Sequence, residues 1–367
     1  MSKRILALNP WHGGSHQAFL DGWSRHSRHQ LTVLKLRPGR WKWRMRHSAV
    51  TFAERLKGED GPLPGSFDAL FCTDMLNLAE FRGLAPLWVA QLPAIVYFHE
   101  NQLTYPVREE RERDLHFAMT NITSCLAADR VWFNSDWHRE EFLKALAAFL
   151  KKMPDYAEDF PLGALHRNSE VQSPGVETCP CPPGQRQWDA PLRIAWVARW
   201  EHDKNPELFF DSLLELDARG IDFRVSILGE SFTEIPECFH RAREKLASRI
   251  DHLGYAKTRR EYWQILSDCD VVVSTARHEF FGIAILEAVS AGCFPLVPDD
   301  LAYPETLGRN TANVFHDCTV KGVAGRLAEL AGGAQRKWMT AIPDVSRYAW
   351  RLRAAEMDRR VEELLFD

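Results

Sequence analysis

Short apolar runs alternate with longer amphipathic stretches along most of the chain. A run that stays apolar on successive residues is typical of a strand buried on both faces, and strands that alternate with helices predict a parallel sheet. The runs expected to form strands are 4–9, 30–36, 69–72, 94–99 and 130–134 in the first half and 193–198, 223–228, 271–274 and 294–297 in the second. The pattern therefore predicts an α/β protein with two doubly wound parallel sheets.

A clear helical pattern lies between the fourth and fifth predicted strands. Leu115, Met119, Ile122 and Leu126 recur at the spacing of one helix face. We expect that face to pack against the core. Further helices are predicted over residues 206–219 and over the charged stretch 345–365, which could close over either domain.

A change of composition separates the two halves. The segment 179–191 is rich in proline, which removes the backbone donors that helices and sheets need. We predict an N-terminal domain over residues 1–178, a linker over 179–191, a C-terminal domain over 192–344 and a final helix over 345–367.

The composition limits the possible functions. The 367 residues, 45% of them hydrophobic, suffice for two domain cores. The formal net charge of -4 gives no general attraction to nucleic acid, so such a partner would need a local basic patch. The eight cysteines show no repeated Cys-x-x-Cys spacing, and no apolar run is long enough to span a membrane. We predict a soluble cytoplasmic protein without a metal site or a membrane partner.

Two charged motifs follow strands of the second half. Arg199 and Lys204 come directly after the first of these strands, and Glu279 follows a later strand and a short loop. Glu287 lies on the helix predicted to begin beyond Gly282. A glycine at the mouth of a helix leaves backbone N–H groups available to an anion, and two cations can balance a diphosphate without a metal ion. These motifs predict a sugar-nucleotide site and glycosyl transfer. The alternative for Arg199 and Lys204 is ordinary surface charge, and the alternative for Glu287 is a glutamate in the first helical turn that the helix dipole favours.

The first predicted strand is followed by a pair of glycines. Gly13 and Gly14 have no side chains, so a ligand can approach their backbone closely. Two-glycine turns are also common in proteins that bind nothing there. His16 comes next, and either a ligand role or simple partial exposure fits a histidine at that point.

The fourth predicted strand ends in a dense polar group, His99, Glu100 and Asn101. Ligands of doubly wound sheets bind beyond the carboxyl ends of the strands, so we expect these residues at a functional site. The alternative for His99 is a buried histidine whose ring is satisfied by a backbone carbonyl.

The segment 37–47 combines positive charge with aromatic side chains. It contains Arg40, Lys42, Arg44 and Arg46, with Trp41 and Trp43 between them. This mixture suits phosphate contacts with base stacking and predicts RNA contact. The alternative is a basic surface loop whose tryptophans pack on the first domain.

Together these motifs resemble a known family of enzymes. Arg199, Lys204 and the Glu279-x7-Glu287 spacing look like the donor site of retaining glycosyltransferases of family 4, which have the GT-B fold. The first half is similar, more narrowly, to the tRNA-queuosine alpha-mannosyltransferase family in the segments Gly13–His16, Trp41–Arg44, Tyr97–Gln102 and Phe133–Ser135.

The resemblance implies two Rossmann-like domains facing each other across a cleft. It implies GDP-mannose as the donor and queuosine in the anticodon of an aspartate tRNA as the acceptor. No cofactor beyond this co-substrate, and no metal, is expected.

Motifs and resemblance together assign residues to roles. Catalysis is assigned to His99, Arg199, Lys204 and Glu279. Donor binding is assigned to Gly13, Gly14, Arg199, Lys204, Glu279, Phe281, Gly282, Ile283 and Glu287. Acceptor or RNA contact is assigned to His16, Arg40, Trp41, Lys42, Trp43, Arg44, Arg46, Glu100 and Asn101. Within these sets the resemblance places Glu279 on the sugar hydroxyls, Glu287 on the ribose, and the amides of residues 281–283 on phosphate.

Two other functions remain open from the sequence. A transferase of the same fold that acts on a small molecule, a lipid or a glycan would share every donor residue. An inert RNA-binding protein on a decayed transferase fold is the second alternative, and the intact set of four charged donor residues argues against it.

Overall fold

The computed structural model describes residues 2–58, 61–107, 113–180, 190–230, 235–309, 314–332 and 341–366. The chain divides into two units, one formed by Met1–Gly175 with Tyr348–Asp367 and the other by Val176–Arg347. Most of the predicted linker, residues 181–189, lies outside the described residues.

The described part of the first unit contains a parallel sheet of six strands. They are β1 (Arg4–Asn9), β2 (Gln30–Lys35), β3 (Ala69–Thr73), β4 (Ala94–Phe98), β5 (Arg130–Phe133) and β6 (Ser169–Val171). Their order across the sheet is β2-β1-β3-β4-β5-β6. The chain adds β2 on one side of β1 and then continues with β3 on the other side, so the strand order reverses at this point. Doubly wound folds bind ligands at the carboxyl ends of the strands beside such a switch point.

Helices cover both faces of this sheet. In chain order they are α1 (Gly14–His26), α2 (Trp41–Lys57), α3 (Leu78–Leu84), α4 (Leu87–Ala90), α5 (Leu115–Ala127), α6 (Asp136–Leu150) and α7 (Leu162–Asn168). One apolar cluster packs α2, α3, α5 and α6 on the sheet, and a second packs α1 on its other side.

The predicted helix between β4 and β5 exists, but its predicted core face is wrong. Leu115 and Leu126 are exposed at 45% and 41%, and Met119 is only partly buried. Of the four residues, only Ile122 lies in the core, where Cys125 of the same helix joins it.

Polar anchors explain the orientation of α5. Asn121 donates to the Asp74 carbonyl at 2.9 Å and accepts from the amide of Gln102 at 2.7 Å. Ser124 donates to the Leu76 carbonyl at 3.0 Å. Because these polar groups find partners in the loops after β3 and β4, the helix face that carries them is buried.

The described part of the second unit repeats the architecture. Its parallel strands are β7 (Leu192–Val197), β8 (Phe223–Leu228), β9 (Ile250–Gly254), β10 (Val271–Val273), β11 (Phe294–Pro298) and β12 (Phe315–His316), in the order β12-β11-β10-β7-β8-β9. Its helices are α8 (Pro206–Ala218), α9 (Glu237–Lys245), α10 (Arg259–Ser267), α11 (Ile283–Ser290), α12 (Tyr303–Leu307) and α13 (Val320–Ala331). The switch point lies between β7 and β10, whose carboxyl ends precede the Arg199, Lys204 and Glu279 motifs.

The final helix, α14 (Trp350–Leu364), belongs to the first unit. Its apolar side joins the core cluster of α1 through residues such as Met357 and Val361. The carboxylate of Asp358 is buried and accepts hydrogen bonds from the Trp23 indole, the Ser27 hydroxyl and the Arg28 amide. The helix is therefore an integral layer of that unit.

Candidate active site

The switch point of the second sheet carries a buried charge cluster. A 3-10 turn, His202–Lys204, follows β7 and places the Lys204 ammonium 3.1 Å from Asp203 Oδ2 and 3.3 Å from Glu279 Oε2. The ammonium also donates to the His278 carbonyl at 2.9 Å. The two loops that follow β7 and β10 are thus joined through one lysine.

Mutual attraction keeps these buried groups charged. Burial by itself would lower the Lys204 pKa, but the Glu279 and Asp203 carboxylates raise it above its ordinary value. Burial would raise the Glu279 pKa, yet Lys204 holds it below its ordinary range, and the same balance lowers the pKa of Asp203. The cluster therefore presents fixed charges at neutral pH.

Arg199 lies at the edge of this cluster. Its guanidinium contacts Glu201 at 3.1 Å and is half-exposed. After burial and Lys204, the Arg199 charge is the next contributor to the shifted pKa of Asp203. The structure thus brings Arg199, Lys204 and Glu279 together, as the sequence predicted.

The mouth of α11 is shaped by Gly282 and Glu279. Gly282 has φ +90°, and a Cβ atom there would lie 3.0 Å from the ring of Tyr303, so glycine is required. Glu279 Oε1 accepts from the amides of Phe281 and Gly282 at 3.4 and 3.1 Å. This contradicts the expectation that both amides are open to phosphate, because the glutamate occupies them. The amide of Ile283, in the first turn of α11, has no acceptor among the described residues.

A small depression lies beside this helix mouth. Lys204, Glu279 and Gly282 line it together with Tyr303, whose hydroxyl is 2.7 Å from Ser274 Oγ. A charged cation, a carboxylate and a helix N-terminus in one depression can hold an anionic leaving group beside a polar substituent.

Glu287 does not join the Lys204 cluster. It is buried in the second turn of α11 and is held by Arg259 and Tyr262 of α10. The sequence argument missed these two residues, although an arginine and a tyrosine three residues apart share one helix face and could have been noticed.

The predicted histidines of the first unit lie at the carboxyl ends of β1 and β4. The rings of His16 and His99 are 4.0 Å apart, centre to centre. Burial, with a smaller effect from His12, lowers the His16 pKa to about 3, and burial likewise keeps the His99 pKa well below its ordinary value. Both rings are neutral at physiological pH.

The hydrogen bonds of these rings are incomplete. His16 Nδ1 and His99 Nε2 are buried and have no hydrogen-bond partner among the described residues. The alternative that a backbone carbonyl accepts a hydrogen bond from the His99 ring is therefore not supported for Nε2. His16 itself is only 3% exposed, which contradicts the expectation that it contacts RNA.

The glycines after β1 serve different purposes. A Cβ atom on Gly13 would lie 2.7 Å from the Pro38 side chain, so packing within the protein already requires a glycine. Gly14 has φ +50°, and a Cβ atom there would meet nothing closer than Trp11 at 3.7 Å. Only Gly14 leaves room for a close ligand.

The two polar residues after His99 differ in accessibility. Asn101 is fully buried, and its side chain contacts Thr104 Oγ1, His138 Nε2 and the Leu103 amide at 2.8–3.0 Å. This geometry contradicts the expectation that Asn101 contacts an acceptor, because it organises the loop instead. Glu100 is partly exposed.

Residues 41–47 of the basic segment form the beginning of α2, and Arg40 lies just before the helix. Trp41 packs on Phe117 with ring centres 5.1 Å apart, and the Arg46 guanidinium lies over the same ring at 4.7 Å. Trp43 is 59% exposed, and Arg40 and Lys42 are exposed as well. The packing alternative holds for Trp41, while Trp43 and its basic neighbours form an open surface. Arg44 donates to a backbone carbonyl within the segment.

Comparisons with known proteins match both units. Residues 4–176 match the family model described as tRNA-queuosine alpha-mannosyltransferase N-terminal, and residues 186–335 match that of glycosyl transferases group 1. The chain is 40% identical over 325 residues to the tRNA-queuosine alpha-mannosyltransferase of Drosophila melanogaster, covering 85% of this chain and 84% of the relative. The chain belongs to the tRNA-queuosine alpha-mannosyltransferase family. It is therefore a glycosyltransferase.

A more distant relative shares only part of the chain. A GDP-mannose-dependent alpha-(1-6)-phosphatidylinositol dimannoside mannosyltransferase of Mycobacterium tuberculosis is 28% identical over 129 residues, 35% of this chain and 33% of the relative.

Solved structures confirm the fold of this family member. Sucrose-phosphate synthase from Thermosynechococcus elongatus superposes with a TM-score of 0.67 at 14% identity, covering 99% of this chain and 100% of the other. The Anabaena protein HepE in complex with UDP and glucose gives 0.65 at 15% identity and full coverage of both chains. The predicted GT-B class is confirmed. None of the helices in the described part of the chain has the length and hydropathy that a membrane crossing requires.

Proposed function

We propose that the protein transfers mannose from GDP-mannose to queuosine in aspartate tRNA and retains the anomeric configuration. The relative named for that activity supports the proposal across most of the chain. The observation that carries the chemistry is the Lys204 ammonium held between Asp203 and Glu279 beside the mouth of α11.

Leaving-group stabilisation is the main task we assign to the second unit. A diphosphate gains negative charge as the glycosidic bond breaks, and Arg199, Lys204 and the N-terminus of α11 are positive groups already fixed in place. Because they are preorganised, we propose that no metal ion is required. Transfer that persists undiminished in EDTA supports this step, and transfer restored only by added Mg²⁺ contradicts it.

Donor binding would change the contacts of Lys204. The ammonium has three N–H groups, and Asp203, Glu279 and the His278 carbonyl now accept them. A diphosphate oxygen can replace Glu279 as one acceptor, which frees that carboxylate to accept hydrogen bonds from sugar hydroxyls. The cluster thus couples phosphate binding to sugar binding.

We assign the bond changes as follows. The bond from the anomeric carbon to the diphosphate oxygen breaks, a bond to the acceptor hydroxyl oxygen forms on the same face, and a departing phosphate oxygen takes the hydroxyl proton. Neutral His99 contributes a hydrogen bond to the sugar, and Glu100 orients the acceptor. Gly14 has no side chain and therefore lets the donor approach its backbone closely. No side chain then has to act as a strong base.

The direct test uses radiolabelled GDP-mannose with two tRNA pools, one containing queuosine and one from cells that lack it. Label should enter only the first pool, and Lys204→Ala should reduce transfer at least a hundredfold, as expected when a fixed charge on the leaving group is lost. Lys257→Ala, which removes an exposed lysine of the same unit, is the matched control. Equal labelling of both pools would refute the acceptor assignment.

The M. tuberculosis relative motivates one alternative, a lipid or glycan acceptor. Offering phosphatidylinositol mannosides in the same assay separates the two, because the proposal expects no label in lipid. Slow donor hydrolysis without any acceptor would exclude the inert RNA-binding alternative. We place the reaction in the cytoplasm, where fractionation of the tagged protein tests it.

A further inference from the structure

Glu287 is clamped from a neighbouring helix. The Arg259 guanidinium contacts both carboxylate oxygens, with Nη1 3.4 Å from Oε2 and Nη2 bonded to Oε1. The Tyr262 hydroxyl donates to Oε2 at 2.8 Å. Only 11% of the Glu287 side chain is exposed, so these donors set the direction of the carboxylate.

Arg259 is itself held in position. Its guanidinium lies 4.6 Å from the centre of the Tyr262 ring and 4.5 Å from that of Trp263. Its Nε donates to Glu177 at 3.1 Å. Cation–π contacts and a second carboxylate thus fix the arginine that fixes Glu287.

Helix stability does not account for an arginine at this position. Arg259 is the first residue of α10, and a cation at a helix N-terminus is unfavourable for the helix dipole. The adjacent Arg260 is exposed and could serve solubility equally well. Arg259, in contrast, contacts the buried Glu287 carboxylate and is held there by Glu177 and two aromatic rings.

The hydrogen bonds from Arg259 and Tyr262, together called the Glu287 clamp, affect the charge of that carboxylate. Burial raises the Glu287 pKa above its ordinary value, whereas hydrogen bonds from Arg259 and Tyr262 oppose that rise and the Glu177 charge adds to it. Protonation would turn one acceptor oxygen into a donor, so an ionised carboxylate accepts from two adjacent hydroxyl groups better than the protonated acid does.

We propose that Arg259 and Tyr262 are positioning residues that keep the Glu287 carboxylate charged and aimed at the ribose diol of the donor nucleotide. The inference rests on the proposed function and on the role that the family resemblance gives Glu287, which is to bind the ribose of the donor. It assigns nucleotide recognition partly to α10, where the sequence motifs had placed none.

The test compares wild type, Arg259→Ala, Arg259→Lys, Tyr262→Phe and the control Arg260→Ala. Arg259→Ala should raise the KM for GDP-mannose on the order of tenfold with kcat within about twofold, because a charged hydrogen-bond pair behind a binding group is lost. The rise should grow as the pH falls from 8 to 6, since Glu287 then protonates more readily. Arg259→Lys should recover part of the affinity, and Arg260→Ala should match wild type.

A second readout separates positioning from general stability. The preference for GDP over 2′-deoxy-GDP, measured by calorimetry, should shrink in Arg259→Ala and Tyr262→Phe. Donor KM and ribose preference that stay at wild-type values across the pH range would overturn the inference. A cooperative melting transition verifies that each variant is folded, and Tyr262→Phe decides the matter if Arg259→Ala does not fold.

The two proposals can fail separately. Mannose transfer with an unchanged donor KM in Arg259→Ala leaves the reaction intact and rejects the clamp. Nucleotide binding that depends on Arg259, without transfer to any tRNA, keeps the clamp and rejects the acceptor assignment.

Discussion

Replacing Lys204 by methionine removes the ammonium at the centre of the charge cluster and keeps most of the aliphatic volume. Asp203 is 4% exposed and Glu279 is 26% exposed at the side chain, so both carboxylates lose their cation while still largely buried. Repulsion between them and incomplete solvation then act on the folded state alone.

The expected loss of unfolding free energy is large for a single substitution. Removing one partner of a buried ion pair costs roughly 3–5 kcal/mol. We expect about 3 kcal/mol, the lower end of that range, because water reaches part of Glu279. The second unit therefore loses stability along with transfer activity.

The loss should depend on pH in a defined direction. In wild type the folded pKa values of Glu279 and Asp203 are lowered, so their stabilisation is present above the unfolded pKa and fades as pH falls through the folded value. Without Lys204, burial raises both values, and the penalty is present at neutral pH and relieved by protonation. The difference between variant and wild type should thus shrink as pH falls from 7.5 toward 4.5.

Native-state hydrogen exchange of the β7 and β10 amides measures this, because it reports on the second unit alone. Lys257→Met is the control for loss of an exposed lysine. Adding Glu279→Gln to Lys204→Met should restore more than about 1 kcal/mol by removing an unpaired charge. Protection equal to wild type at pH 7.5, or no recovery in the double variant, would refute the account of the cluster.

Three further predictions concern other parts of the chain. Arg40→Ala with Lys42→Ala should weaken tRNA binding and lower the slope of log K against log salt by about 1 per phosphate contact, so an unchanged slope in filter binding counts against an RNA surface. Gly282→Ala should destabilise the protein by about 1–2 kcal/mol, because alanine resists φ +90° and approaches Tyr303; a melting temperature equal to wild type would contradict this. Asp358→Ala should cost about 1–3 kcal/mol in urea unfolding, because it leaves the buried Trp23 indole and two partly buried donors without their acceptor, and Asp358→Asn should cost less.

The local hydrophobic pattern was sufficient to predict most of the strands. Each strand predicted from an apolar run is present, with ends that agree to within about a residue or two. The strands that the pattern missed are β6, β9 and β12, and each lies at an edge of its sheet. Edge strands are short or half-exposed, so they need no continuous apolar run, and periodicity has little to detect.

The sequence also predicted the charge cluster at the ends of β7 and β10. A glycine before a helix, a carboxylate ahead of it and two cations after another strand are local features, and parallel topology alone brings the ends of β7 and β10 together. Arg199, Lys204 and Glu279 therefore meet as predicted.

Only the tertiary structure decided which polar groups bond within the protein and which stay available to a ligand. Asn101 and the Phe281 amide resemble ligand contacts in the sequence, yet their partners are other residues of the fold. The face of α5 and the Arg259 clamp on Glu287 depend equally on groups distant in the chain. Hydrophobic periodicity is set by neighbours along the chain, whereas the satisfaction of a buried polar group depends on whichever partner the fold places within about 3 Å, and no local pattern encodes that partner.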